Sequence, residues 1–305
     1  MSRNPPTLRV PDGRQGPGRV PAGAVDALDV AVARRAAGLL PGDRRAFGVG
    51  LGTELAQLRP YQPGDDVRQI DAAASARTGE AHVRLQVPER SLTTWIVLDL
   101  SPSMAFGTAL RLKFDVAEGV VGVLGRLGAR RGGRVALLTC GVPEPRLLAP
   151  RGGRGTIVGL RRVLAEGVAA DGYDDPTALA DALKRIGRLA SQPGLVTVIS
   201  DFRGDPETWR RPLGAVRARH SVMAIEVRDP REGALPAVGH LALVDPETGA
   251  RLDVDTSSRS LRDRFAAAEA ARRETVARSL RRLRVEHVVL GTDADWLRDL
   301  GRRLR

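Results

Sequence analysis

Two hydrophobic rhythms run through most of this chain. From residue 95 onward, short and largely apolar runs, the first of them unbroken, alternate with longer stretches in which apolar residues recur every three or four positions. The runs are Trp95–Leu98, Arg134–Thr139, Leu195–Ser200, Ser221–Val227 and Val285–Leu290. Unalternating runs of this length are those of strands covered on both faces. Between them the spacing predicts helices over Arg111–Arg130, Gly155–Ala165, Ala178–Ala190, Pro206–Arg217, Leu261–Leu283 and Ala294–Arg303. In the first of these, Phe114, Ala117, Val121 and Leu124 share a face. Arg146–Leu148 reads as a short edge strand, and Leu241–Val254 as a hairpin turning at Pro246-Glu247-Thr248-Gly249. Strands alternating with helices predict an α/β fold: a doubly wound, mostly parallel sheet covered on both faces, with Trp95–Leu98 central.

The pattern is different before residue 93. Met1–Gly23 is rich in Pro, Gly and Arg and reads as a disordered or loosely held tail. Ala24–Leu40 has helical spacing, with Val25, Leu28, Val32, Ala36 and Leu39 on one face and Pro41-Gly42 as its stop. Arg44–Glu54 is a basic, Gly-rich loop, and Ala81–Pro88 alternates as a strand does. The expected division is a tail over 1–23, an N-terminal segment over 24–92 and a sheet domain over 93–305.

Composition changes this picture little. A chain of 305 residues that is 42% hydrophobic and 28% charged holds ample core for a globular protein. The net charge of +12 invites a nucleic-acid reading. Against it, the basic residues are scattered arginines without aromatic interleaving, and Lys113 and Lys184 are the only lysines. The lone Cys140 excludes an internal disulfide and sits in an apolar run as a small hydrophobe. The N-terminus lacks the apolar stretch of a secretory signal, and no run approaches membrane-spanning length, so a cytoplasmic location is expected.

The candidate chemistry begins where the central run stops. Asp99, Ser101 and Ser103 put three hard oxygen side chains at alternate positions just past a buried strand, with Pro102 barring its continuation. Ligands bind at that edge of an open α/β sheet. Oxygen donors without imidazole or thiolate suit Mg²⁺, Mn²⁺ or Ca²⁺. Asp and Ser also open turns before helices, and on this stretch alone both readings stand. Two later features shift the balance. Asp174-Asp175-Pro176-Thr177 places a Thr just before a helix, and Val196–Ile199 leads through Ser200 to Asp201 after a second buried strand. Together these supply Asp99, Ser101, Ser103, Thr177 and Asp201 from three loops on one sheet edge.

This pattern resembles the metal-ion-dependent adhesion site of von Willebrand factor A domains: Asp-x-Ser-x-Ser, a later Thr, then an Asp after a central strand. The resemblance covers about Thr93–Arg305. It implies that Ser101, Ser103 and Thr177 ligate a divalent cation, Mg²⁺ or Mn²⁺, and that Asp99 and Asp201 hold it directly or through water. A partner's carboxylate would complete the octahedron. Upstream, Leu58-Arg59-x-Tyr61-x-x-Gly64-Asp65-Asp66-x-Arg68-x-Ile70-Asp71, followed by Ala76-Arg77-Thr78-Gly79, resembles the signature of domain-of-unknown-function family 58. Members carry it ahead of a von Willebrand A-like domain and are associated with MoxR-type AAA+ ATPases. The family usually has Trp after the Ile-Asp pair, where this chain has Ala72. Read from the residues alone, the Asp and Arg side chains of this signature, Asp65, Asp66, Arg68, Asp71 and Arg77, are expected to pair with one another and pin a loop. No His, Cys or Lys stands close by in sequence to act as acid, base or nucleophile.

The leading expectation is a non-enzymatic, metal-dependent protein-interaction module that acts as adaptor or co-chaperone for a MoxR-type ATPase or its client. A Mg²⁺-dependent hydrolase is the alternative. It lacks support from a phosphate-binding loop, since Arg151-Gly152-Gly153-Arg154-Gly155-Thr156 has no Lys and follows Pro150 instead of a strand, and no Gly-x-Ser-x-Gly elbow is present. His82, His220, His240 and His287 are far apart in sequence. Nucleic-acid binding, the third reading, rests on net charge alone.

Overall fold

The structure, a computed structural model, describes residues 13–21, 23–25, 28, 57–85, 93–130 and 132–304. It divides into two units, one of residues 41–91 and one of residues 1–40 with 92–305.

In the smaller unit β1 (Gln57–Pro60) pairs antiparallel with β2 (His82–Leu85). The predicted strand over 81–88 is thus present as far as Leu85; residues 86–88 lie outside the described residues. Between the strands lies α1 (Ala72–Thr78). The charged signature behaves differently from expectation. An ion pair forms there as a two-pronged contact from Arg59 to Asp65 at 2.6 and 2.8 Å. Asp66 instead accepts from the backbone N–H of Arg68 (3.0 Å), and buried Asp71 caps α1 by accepting from Ala74 N (2.8 Å). The Arg68 and Arg77 side chains are exposed and have no partner among the described residues. The physical reason is local. A short acidic side chain before a helical turn reaches an orphan N–H two or three residues on at less entropic cost than it reaches a long guanidinium.

In the larger unit β3 (Thr93–Asp99), β4 (Arg134–Cys140), β5 (Leu147–Arg151), β6 (Leu195–Ser200), β7 (Ser221–Arg228) and β10 (Glu286–Gly291) form one sheet in the order β10-β7-β6-β3-β4-β5. Five strands are parallel, and the edge strand β5 runs antiparallel. β3 lies inside the sheet between β4 and β6, as its apolar run requires. Strand side chains alternate in direction, so Ile96 and Leu98 enter one core and Trp95 and Val97 the other. The first core is covered by α2 (Lys113–Gly128), α3 (Arg154–Ala165) and α7 (Trp296–Leu304). The second is covered by α4 (Ala178–Leu189), α5 (Pro206–Arg217) and α6 (Arg259–Arg282). Ile96, Val97 and Leu98 are fully buried, each side chain contributing about 1.5–3 kcal/mol of transfer free energy. The hairpin of β8 (His240–Val244) and β9 (Arg251–Asp255) forms a separate two-stranded sheet.

Part of the stretch expected as a tail is held against this unit. Trp296 Nε1 donates to Pro17 O (2.9 Å), Gln15 N and Gly16 N donate to the Asp115 carboxylate, and Arg14 pairs with Glu118 at 2.6 Å. Val25 and Leu28 are buried in the first core. Residues 23–25 and 28 are helical, as predicted; Val32, Ala36, Leu39 and the loop over 44–54 lie outside the described residues.

Candidate functional site

The sheet order reverses direction at β3. Chain order proceeds from β3 outward through β4 to β5, then returns to the other side of β3 with β6. The crevice between the carboxyl ends of β3 and β6 is therefore the switch point of the fold. Asp99 ends β3 and Asp201 follows β6.

The backbone after β3 is fixed on both sides: Leu100 N donates to Cys140 O (2.9 Å) and Ala169 N donates to Leu100 O (2.8 Å). Pro102 then opens a short 3-10 turn. Asp99 accepts from Ser101 N (3.0 Å) on one oxygen and from Ser200 Oγ (2.5 Å) on the other. The hydroxyls of Ser101 and Ser103 lie 3.2 Å apart. Gly141, at φ +72°, closes in from β4, where an added Cβ would stand 2.8 Å from Asp99 Oδ1 and 2.7 Å from Ser101 N. Only glycine leaves that space open. After Asp201, Phe202 takes φ +49°, a conformation that costs a non-glycine residue about 1–2 kcal/mol. It is held there by Ser200 Oγ on its N–H, by Arg272 on its carbonyl and by an edge-on contact between its ring and Trp209.

Asp99, Ser101, Ser103 and Asp201 thus line one cavity of about 680 Å³. Its walls also include Phe106, Tyr173, Trp209, Phe265 and the β8–β9 hairpin. Asp175, Pro176 and Ala178, on either side of Thr177, line the same cavity, whereas Thr177 itself is not among its lining residues. It is exposed, and its hydroxyl lies within hydrogen-bonding distance of Asp175 (3.1 Å) and Asp181 (3.2 Å). Asp175, two residues before it, accepts from both its hydroxyl and its N–H.

Two site residues escape the sequence reading. Lys113, the first residue of α2, has a fully buried side chain whose ammonium donates to Asp201 (2.5 Å) and Glu232 (2.6 Å). Its rarity is the available signal: one of two lysines in a chain that otherwise uses arginine. A compact ammonium fits between two close carboxylates where a planar guanidinium would not. The other is Glu247, at the tip of the hairpin, which accepts from Ser103 N at 3.0 Å. Those two residues lie 144 positions apart, and no local pattern links them.

Burial and the nearby charge of Asp201 push the Asp99 carboxyl up to about 6, against the hydrogen bonds it accepts. Burial acts in the same direction on Asp201, but the Lys113 ammonium outweighs it and holds that carboxyl below its usual value. Burial would lower the Lys113 ammonium; the charges of Asp201 and Glu232 more than compensate, so it stays protonated. Glu247 is raised, first by burial and also by the charge of Asp201.

The donor set is thus two carboxylates and two hydroxyls, with Asp99 Oδ1 facing the space Gly141 leaves. Among the described residues no three carboxylate, imidazole or thiolate side chains group as a metal site by themselves, so the serine hydroxyls would have to take part. With them, oxygen donors and an excess of negative charge fit a hard divalent cation. Among the described residues neither His nor Cys lines the cavity.

The family model described as protein of unknown function DUF58 matches residues 57–275. The uncharacterized protein Rv1480 of Mycobacterium tuberculosis is 41% identical over 283 residues, 92% of this chain and 88% of that one. Among solved structures, the conserved hypothetical protein BatB from Bacteroides thetaiotaomicron superposes with a TM-score of 0.44 at 13% identity, over 70% of this chain and 97% of BatB. The SpRpn10 VWA domain gives a TM-score of 0.39 at 13% identity, over 69% and 93%.

Proposed function

The chain belongs to the DUF58 family of proteins of unknown function, and we propose that it is a protein-interaction module that binds a partner's carboxylate through a divalent cation at the sheet edge. The observation that supports this is the convergence of Asp99, Ser101, Ser103 and Asp201 on one cavity at the switch point, with Gly141 keeping space beside Asp99. These four residues would hold Mg²⁺ or Mn²⁺. The cation, when bound, supplies a positive charge on which an incoming Asp or Glu can settle. The chain's own groups do the rest: Ser200 and Ser101 N orient the Asp99 carboxylate, and Lys113 fixes Asp201. Two neutral hydroxyls among the donors leave the cation with charge to spare for the partner.

The partner implied by the family resemblance is a MoxR-type AAA+ ATPase or its client, with this chain as a non-catalytic adaptor or co-chaperone. A cytoplasmic location belongs to the same proposal; among the described residues no helix is long and apolar enough to cross a membrane. The test is calorimetry with MgCl₂ on wild type and Asp99→Ala, beside capture of a purified MoxR-type ATPase with and without chelator. Mg²⁺ binding and chelator-sensitive capture in wild type alone are expected. Equal Mg²⁺ affinity in the two proteins would reject the site.

A further inference from the structure

The tip of the β8–β9 hairpin enters the site that the cation is proposed to occupy. Polar contacts hold it there, and the hydroxyls of Ser103 and Ser101 hydrogen-bond the Glu247 carboxylate. Ser103 N donates to Glu247 Oε1 (3.0 Å), and Gly172 N donates to the carbonyl of Pro246 (2.8 Å). At its other end the hairpin is fastened more firmly. Thr256, fully buried, donates to Gly239 O from both its N–H and its hydroxyl (2.7 Å each), and Val238 N donates to the Thr256 hydroxyl (3.1 Å). The strands themselves join no larger sheet, and Val244 and Leu252 are 51% and 62% exposed. A lone two-stranded hairpin is marginal in water, and such elements open at a small fraction of the global stability. The hairpin is therefore anchored at its base by a buried threonine, while its tip is held through the Glu247 carboxylate and the Pro246 carbonyl.

What the tip carries is an acid, brought to a place already rich in acids. Asp99, Asp201 and Glu232 stand there against the cations Lys113 and Arg203. The Glu247 carboxylate does not pair with either cation; it reaches past them to the backbone N–H of Ser103, a residue of the donor set. Electrostatics alone disfavours a fourth carboxylate in that position. A divalent cation among Asp99, Ser101, Ser103 and Asp201 reverses the sign of the interaction.

We infer that Glu247 is the chain's own occupant of the place a partner's carboxylate would take, and that the hairpin is a tethered competitor for that partner. The inference rests on the cation reading above. It also defines the partner's chemistry: an exposed acidic turn of the kind the hairpin presents, Asp245-Pro246-Glu247-Thr248-Gly249. A tethered group acts at an effective concentration of about millimolar, so a free partner must displace it before binding.

The test uses the full chain as wild type, Asp99→Ala and Glu247→Gln. Mg²⁺ alone is titrated first. If wild type takes up no Mg²⁺, the cation reading fails and this inference fails with it. With Mg²⁺ bound, amide exchange over residues 245–250 should slow at least about tenfold on addition of the metal to wild type, and stay unchanged in Glu247→Gln. A synthetic peptide of residues 241–252 then serves as the acidic probe. It should bind Glu247→Gln at least about tenfold more tightly than wild type, in Mg²⁺ and not in EDTA. Mg²⁺ uptake that leaves hairpin exchange the same in wild type and Glu247→Gln overturns the internal-ligand role while the cation site stands. A peptide that binds both proteins equally, or neither, overturns the competition.

Discussion

Replacing Lys113 by methionine keeps the length and apolar stem of the side chain and removes only the ammonium. The structure sets the size of the effect. The Lys113 side chain is 0% exposed and Asp201 is 3% exposed, so neither charge is screened by water. Glu232 retains a second cation, Arg203 at 3.4 Å. Asp201 retains the backbone N–H of Arg203 at 3.2 Å, hydrogen bonding from Ser103 and the weaker, unpaired attraction of the Arg203 charge. The loss therefore falls on Asp201, as a buried charge without its counter-ion. Such losses cost about 3–5 kcal/mol, which for a unit of this size lowers the melting temperature by roughly 10 °C. Trp95, Trp209 and Trp296 all lie in the larger unit, so tryptophan fluorescence in a urea titration reports that unit alone. The midpoint should fall without a change in slope. Adding Asp201→Asn to Lys113→Met should restore at least half of the lost stability, because the orphaned charge goes with it. A loss under about 1 kcal/mol, or a double variant no more stable than the single one, would refute the claim that this ion pair is buried and mutually dependent.

Three further outcomes follow from the same geometry. Asp99 is held above its unfolded value, so its ionisation costs stability as pH rises through the window from about 4 to 6; Asp99→Asn in metal-free buffer should stabilise by about 3 kcal/mol at pH 8, with the gain fading below pH 4, as read by thermal melts across pH. Burial pushes Glu226 up, but hydrogen bonds from His287 and Arg228 outweigh it and depress its carboxyl; its contribution is complete above about pH 4.3 and lost in more acid solution, so Glu226→Gln should flatten the fall of stability with acid, and an unchanged slope would count against the network. Gly119→Ala should cost about 1–3 kcal/mol in a urea melt, because its Cβ would stand 2.4 Å from the Trp296 ring and 2.8 Å from Pro17; a neutral effect would show that the segment around Pro17 yields freely.

The sheet is legible in the sequence because its strands are buried on both faces. Trp95–Leu98 has no polar position that could face water, and that alone assigns it to a sheet interior. Asp99 and Asp201 can be read for the same reason, as the acids that end such runs. The edge strand β5 and the hairpin are recognisable from turn residues and alternation, although nothing local says that the hairpin tip lies over the site. Lys113 and Glu247 escape because their meaning arises only when α2, the β7–β8 connection and the hairpin are brought to one point. Order along the chain assigns Thr177 to the site, and the structure brings its neighbours Asp175 and Pro176 to the cavity while its hydroxyl donates to Asp175. In the signature segment the sequence shows charges but not whether a carboxylate turns to a guanidinium or to a backbone N–H, and Asp66 and Asp71 take the backbone.

The bond from Trp296 to Pro17 spans 279 positions, and Val25 and Leu28 pack in the same core as Leu297 and Leu300. The larger unit is thus completed by the meeting of its first and last portions. Bringing such distant points together in an unstructured chain costs about 5 kcal/mol of closure entropy, so this contact belongs to the late steps of folding, after the sheet has drawn the ends together. During synthesis the segment around Pro17 is made before α2, and the part of its docking surface on α7 follows much later. At ribosomal rates of about 5–20 residues per second the interval is roughly 15–60 s. Through that interval Val25 and Leu28 lack the part of their core that Leu297 and Leu300 supply, and a nascent chain of this protein carries them incompletely covered until α7 has been made.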